Sequence, residues 1–144
     1  MINNLFYQET LTISTPGRGC YDLGGQVHSC VQRSGIVRGI CHLFIRHTSA
    51  SLMLCENADP DVQSDLEAWM ARAVPDGDSL FQHTAEGPDD MPAHVRSVLT
   101  HSDLNVPVQN GVCALGQWQG IYLWEHRHAP HERQVMLTIY GEAA

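Results

Sequence analysis

His83 and His94 bracket a loop that also carries Glu86, Asp89 and Asp90 and has little apolar content. A loop that only had to be solvated would not need that chemistry. Two neutral imidazoles beside carboxylates are the donor set of a divalent metal ion, Zn or Mg/Mn, or of an acid/base pair. Bringing the two rings together costs little extra, because loop-closure entropy grows slowly with length. The metal reading has both imidazoles converging on one ion, with Glu86 or Asp90 near it. The competing reading has Asp90 merely capping the helix that follows and both histidines on the surface.

Two further polar runs lie between apolar segments. His47-Thr48-Ser49-Ala50-Ser51 leads into Glu56-Asn57-Ala58-Asp59-Pro60, and Gly116-Gln117-Trp118-Gln119-Gly120 leads into Glu125-His126-Arg127. Three such clusters predict one shared site assembled by the fold. His42 and His47 should point to opposite faces of a regular strand, so one of them can join the site and not both, unless a bulge intervenes. Thr48 and Ser49 could act as a nucleophile beside a base, but hydroxyls after a strand more often satisfy backbone groups. Glu125 closes an apolar strand and either faces solvent or enters the site. Asn57 lines the cleft or simply makes a turn with Asp59. Trp118 could stack a flat heterocycle, with core or interface packing as the alternative. His126 and His128 share one face of a strand by their spacing, a weak signal that leaves their roles open, as does the position of His131.

The elements that must position these residues follow from periodicity. Tyr7, Leu11 and Ile13 alternate with polar residues over 5–14, which predicts a half-exposed strand ended by Pro16-Gly17-Arg18-Gly19. Leu23, Val27, Cys30 and Val31 fall at helical spacing, with Asp22 as cap and a stop near Ser34-Gly35. Ile36 to Ile45 and Ser51 to Cys55 predict strands. Asp59-Pro60 opens a helix whose apolar stripe is Val62, Leu66, Trp69 and Ala73. Asp90 and Pro92 open a short helix carrying His94, Val95, Val98 and Leu99. Leu104 to Val108 and Val112 to Leu115 flank Asn110-Gly111, a hairpin signal. Ile121–Trp124 and Gln134–Tyr140 complete the set, joined by a turn at Ala129-Pro130-His131-Glu132. Grouped strands with interspersed helices read as α+β, with largely antiparallel sheets.

The 144 residues make one domain, 1–144, and 43% hydrophobic content is enough to form a core. The formal net charge of −8 argues against nucleic-acid and anionic-membrane partners. All eight basic residues are Arg, so a Schiff-base lysine or a lysine-dependent phosphate loop is excluded. Any phosphate or carboxylate must therefore be met by Arg, with Arg96 and Arg127 as the candidates nearest the polar clusters. The five cysteines form no C-x-x-C pair and read as free thiols in a reducing cytosol. The N-terminus lacks the charged and apolar regions of a secretion signal, and no apolar run is long enough to cross a membrane, so a cytoplasmic location is expected.

The runs HTSASL, ENADPDV, HTAEGPDDMPAHVRS and LGQWQGIYLWEHR, in this order, closely resemble the YjbQ-like family, often labelled secondary thiamine-phosphate synthases. The resemblance spans roughly residues 7–141. It implies an α+β fold built around a β-sandwich, with two or three helices, and a homotrimer. It also implies a secondary activity that joins a pyrimidine diphosphate to a thiazole phosphate. It favours His47 over His42 in the site and leaves His42 as a core or interface residue. Met53, Cys55 and Arg96 depart from the pattern, where a polar residue, Asn and Lys respectively are usual. The leading expectation is a small metal-dependent enzyme acting on a phosphorylated small molecule. His47, His83 and His94 would hold the metal, Glu86, Asp90 and Glu125 would be catalytic carboxylates, and Arg96, Arg127, Asn57 and Trp118 would meet substrate. The alternative is a non-catalytic, trimeric module that binds a metal or small ligand.

Overall fold

The computed structural model describes residues 3–144. Eleven elements follow one another as β1 (Asn4–Thr15), β2 (Gly19–Asp22), α1 (Gly24–Ser34), β3 (Ile36–Ile45), β4 (Ala50–Glu56), α2 (Pro60–Ala73), α3 (Asp90–Leu99), β5 (Asp103–Gln109), β6 (Val112–Cys113), β7 (Gln119–Glu125) and β8 (His131–Ala143). The strands form two sheets, one in the order β1-β8-β3-β5-β6 and the other β2-β7-β4. Every named pair is antiparallel. The α+β architecture expected from the grouping of elements is the one observed.

Side-chain alternation explains the layering. Leu11 and Ile13, Cys41, Leu43 and Ile45, Val106 and Val108, and Val135, Leu137 and Ile139 all face inward from the large sheet. They meet Leu52, Ile121 and Leu123 of the small sheet and Leu23, Val27, Cys30 and Val31 of α1. The small sheet is buried on both faces. Its second face carries Met53, Tyr122 and Trp124, which pack against Leu66, Met70 and Val74 from α2 and its C-cap and against Val95 of α3. Strand β7 therefore reads as a continuous apolar run, because successive side chains enter two different cores.

Several expectations need adjustment. The helix α1 starts later than a cap at Asp22 would place it. Asp22 ends the short strand β2, which the Pro-Gly turn signal had masked, and its Oδ1 accepts from Gly24 N at 2.7 Å. Gly35 closes α1 in the left-handed conformation, φ 71°, as its position after the helix predicts. In α2 the inward stripe runs through half-buried Val62 and Leu66 to buried Met70 and the C-cap Val74, and Trp69 is 54% exposed. The cap itself is as read: the Asp59 side chain accepts from Asp61 N and Pro60 opens the helix. Asn110 and Gly111 both have positive φ, which suits the two-residue hairpin turn they form, but the strand after it is only Val112–Cys113. Gly39 and Gly141 pair directly, and a Cβ on Gly39 would lie 2.0 Å from the Tyr140 carbonyl oxygen. No side chain fits there, so β3 and β8 can approach only through glycine.

All five thiols are free. Burial pushes Cys20 and Cys30 up to about 12, so both are protonated at neutral pH and neither is a reactive thiolate. Among the described residues, no helix is long and apolar enough to cross a membrane.

Candidate functional site

Helix α3 organises the cluster. Asp89 is its N-cap residue, yet its carboxylate does not cap the helix. The Asp89 Oδ2 instead accepts from Arg127 Nε at 3.0 Å and from His128 N at 2.9 Å. Asp90, the first helical residue, is buried. Its Oδ1 accepts from Arg127 Nη1 at 2.7 Å, and its Oδ2 lies 2.6 Å from His83 Nε2 and 3.3 Å from His94 Nε2. One α-helical turn separates Asp90 from His94, which puts both on one face. His83 comes from the acidic loop and stands edge-to-face with His94, ring centroids 5.4 Å apart.

The ligand atoms of His83, Asp90 and His94 lie within 4.8 Å of one another. Two imidazoles and one carboxylate are a donor set that suits zinc, and also iron or manganese with positions left open. The residues present thus fit a divalent ion. Burial acts to raise the Asp90 carboxyl, but hydrogen bonding with His83 and Glu86 and the Arg127 charge bring it below its ordinary value. The helix N-terminus favours the same anionic form. Arg127 fixes the carboxylate from behind, with Nη2 donating to the Glu86 carbonyl at 3.1 Å. Such outer partners hold a ligand in its binding orientation. Glu86 Oε2 is 3.7 Å from His83 Nε2 and largely exposed.

Each histidine of the cluster forms the wall of a different groove. His83 borders one of about 340 Å³, with Phe81, Pro88, Met91 and Pro92. His94 borders another of about 280 Å³, with His47, Thr48, Ser97 and Ser102. His47 therefore faces the site but does not join the triad. Its Nε2 accepts the backbone N–H of Gln134 at 2.8 Å. Burial and then the nearby Arg133 charge lower its pKa.

Other expected site residues sit elsewhere, for clear reasons. Glu125 faces neither solvent nor the cluster. It is fully buried between the sheets, where Oε1 and Oε2 take a bidentate contact from Arg133 at 2.7 and 2.5 Å. Thr15 Oγ1 and the backbone N–H groups of His126 and Arg127 fill its remaining lone pairs. A carboxylate so saturated serves the core and has no lone pair left for the catalytic role expected of it. Arg96 also cannot meet a substrate. It has no exposed surface, and its Nη1 donates to Glu67 Oε1 at 2.6 Å. Arg127 does stand at the cluster, but its guanidinium is committed to Asp89, Asp90 and the Glu86 carbonyl. Asn57 hydrogen-bonds the Gln117 and Gln119 carbonyls at 3.4 Å and braces the loop before β7. Trp118 is exposed on that loop, and neither it nor Asn57 lines either groove.

His42 lies on the outer face of the large sheet, 2.9 Å from Asp103. His126 is buried, bonded to Ser51 Oγ at 2.8 Å and held neutral, its pKa lowered to about 3 mainly by burial and then by Arg96. His128 contacts Asp76, which Arg18 also holds through two nitrogens, so the acidic loop is tied down at its start as well as its end. Sequence reasoning missed Arg133, the pairing of Asp89 with Arg127 and this Asp76 anchor. Arg133 had a signal: it falls in the inward register of Val135, Leu137 and Ile139.

Comparison with known proteins gives a consistent picture. The family model described as UPF0047 protein YjbQ-like matches residues 9–142. A UPF0047 protein from Synechocystis is 47% identical over 136 residues, covering 94% of this chain and 92% of the relative. The UPF0047 protein YjbQ of Escherichia coli is 40% identical over 139 residues, covering 96% and 100%. Among solved structures, a YbjQ-like protein of unknown function from Sulfolobus solfataricus superposes with a TM-score of 0.88 at 25% identity, covering 97% of this chain and 100% of that one. A UPF0047-family protein from Clostridium acetobutylicum gives 0.79 at 32% identity, covering 92% and 98%.

Proposed function

The chain belongs to the UPF0047 YjbQ-like family, and from that footing we propose that it is a metal-dependent enzyme acting on a phosphorylated small molecule. The observation that carries this reading is the convergence of His83, Asp90 and His94 between two grooves. A divalent ion held there would supply Lewis-acid polarisation of a phosphoryl oxygen and neutralise charge on a departing group. That role matters because neither Arg96 nor Arg127 is free to do it. Arg127 and the N-terminus of α3 keep Asp90 anionic and oriented. Glu86, exposed beside His83, would be the carboxylate that moves a proton. Two grooves meeting at one cluster suit a reaction between two small molecules, such as the joining of a pyrimidine diphosphate to a thiazole phosphate.

A module that binds a metal or small ligand without turnover uses the same cluster, and the lack of an uncommitted guanidinium beside it favours that second reading. One experiment separates them. Protein purified without a histidine tag is loaded with Zn²⁺ or Mn²⁺ and offered the pyrimidine diphosphate and thiazole phosphate, then a panel of phosphorylated metabolites. Metal-dependent release of phosphate or diphosphate is the expected result. Stoichiometric metal with no turnover on any of them would favour the binding module, and no bound metal would remove the metal-dependent enzyme and leave only a module that binds a small ligand.

Self-association as a homotrimer belongs to the same proposal. The outer face of the large sheet aligns Phe6, Tyr140, Ile40 and Pro107 in one cross-strand row, with Phe44 four residues along β3 from Ile40. Phe6 is 68% exposed, Tyr140 47% and Phe44 45%. An apolar row of this kind on an otherwise polar face marks an association surface. Light scattering at micromolar concentration should give three times the 16.0 kDa chain mass. A single-chain mass at every concentration would refute it, and Phe6→Glu should shift the protein toward monomer.

A further inference from the structure

The groove between His47 and α3 is built differently from the cluster it adjoins. Its lining holds no Asp, Glu or Arg, only His47, His94, four hydroxyl side chains, Ala50 and Val98. We propose that it is a subsite for an uncharged polyhydroxyl group, of pentose size, on a ligand whose anionic end lies at the His83–Asp90–His94 cluster, with His47 serving as a hydrogen-bond donor and not as a metal ligand. This deepens the metal reading and rests on it.

The tautomer of His47 follows from geometry. A ring nitrogen that accepts a backbone N–H must carry a lone pair, and Nε2 does so from Gln134 at 2.8 Å. In a neutral imidazole the proton is then on Nδ1. That N–H has no protein partner among the described residues, and neither do the hydroxyls of Thr48 and Ser102. The Ser97 hydroxyl donates to the Ala50 carbonyl at 3.4 Å and that of Thr100 to the Arg96 carbonyl at 2.7 Å. Both keep lone pairs to accept with. The groove thus offers donors and acceptors together and no charge. A phosphate needs donors and cations, whereas a sugar hydroxyl both donates and accepts, so the lining matches the sugar. Ala50 and Val98 supply apolar surface for its C–H groups.

Size and position agree. A groove of about 280 Å³ lies just below the range of roughly 300–1,000 Å³ for whole drug-sized ligands, so it suits part of a molecule. His94 is its shared wall with the cluster and ends 3.3 Å from Asp90 Oδ2. A ligand seated there is therefore separated from the cluster by no more than the His94 ring.

The test uses the full chain, Zn²⁺ and two probes, inorganic phosphate and ribose 5-phosphate, followed by isothermal titration. The parent should bind Zn²⁺ and then prefer ribose 5-phosphate over inorganic phosphate by tenfold or more. His47→Phe, and independently Thr48→Val, should keep the parent's affinity for Zn²⁺ and inorganic phosphate. Each should weaken ribose 5-phosphate by about three- to tenfold, the scale of one net hydrogen bond. Equal binding of the two probes by the parent would overturn the subsite. So would a His47→Phe variant that, with a native circular dichroism spectrum, loses Zn²⁺, because His47 would then be a ligand. Should His47→Phe fail to fold, Thr48→Val decides. A parent that takes up no metal fails at the first titration, which brings down the metal reading and the subsite with it and is distinct from losing the sugar preference alone.

Discussion

His83→Ala and His94→Ala should each lower Zn²⁺ affinity more than about a hundredfold while leaving the fold intact. Loss of a partner behind a ligand already costs roughly 10–100-fold in metal affinity, and loss of the ligand itself exceeds that. Neither ring is buried, their side chains being 47% and 33% exposed, so truncation opens no core cavity. Ala also has the better helix propensity at position 94. Because the two rings are proposed to share one ion, the double variant should be little worse than either single one, as for residues acting as a unit. Arg127→Gln should give an intermediate loss, about 10–100-fold, since it removes the group that orients Asp90 and not a donor. Titrations with Zn²⁺ and Mn²⁺ on all four variants decide the matter. If both single histidine variants bind like the parent, the triad is not a metal site.

That triad was legible in the sequence because its parts are close along the chain. Asp90 and His94 are one helical turn apart, and His83 enters from the loop immediately before. Helix caps and hairpin turns were legible for the same reason: Asp59-Pro60 and Asn110-Gly111 act on neighbouring backbone. What could not be read was any choice made by a distant partner. Glu125 was poised between solvent and site, and only the inward position of Arg133, brought alongside by the chain's return through β8, decides that it serves the core. Arg96 reads as a substrate-binding cation on a short helix until the structure buries it and pairs it with Glu67 of α2, whose carboxylate also takes the Trp124 indole N–H at 2.7 Å. His47 is the subtler case. Its position after β3 puts it on a groove wall, but the backbone N–H that occupies its Nε2 comes from Gln134, a contact no local pattern encodes. The apolar stripe of α2 shifted by one residue, from Trp69 to Met70, because burial there depends on where the second face of the small sheet lies.

Replacing Arg133 with Met should be the most destabilising single change away from the apolar core, at about 3–5 kcal/mol, because it leaves the Glu125 carboxylate buried and without its cation. Burial raises the Glu125 carboxyl, but Arg133, then Thr15 and the Arg127 backbone N–H, bring it below its ordinary value of 4.5. A carboxyl with a lowered folded-state pKa contributes stability that is present above its unfolded value and is lost as pH falls through the folded one. The parent should therefore lose stability on acidification below about pH 4.5, by up to about 1.4 kcal/mol per pH unit from this group. In Arg133→Met the unpaired carboxyl should instead titrate above 4.5, so protonation relieves the variant. The gap between parent and variant should then narrow as the pH is lowered from 7 toward 4 (about the carboxylate range). Urea unfolding of both proteins across that interval measures it. A second variant isolates the ion pair from simple loss of packing: Glu125→Gln combined with Arg133→Met removes the buried charge and should recover part of the lost stability, since removing both partners costs less than stranding one. A double variant no more stable than Arg133→Met, or a gap that does not change with pH, would show that the arginine acts through its stem's packing against the two sheets and not through Glu125.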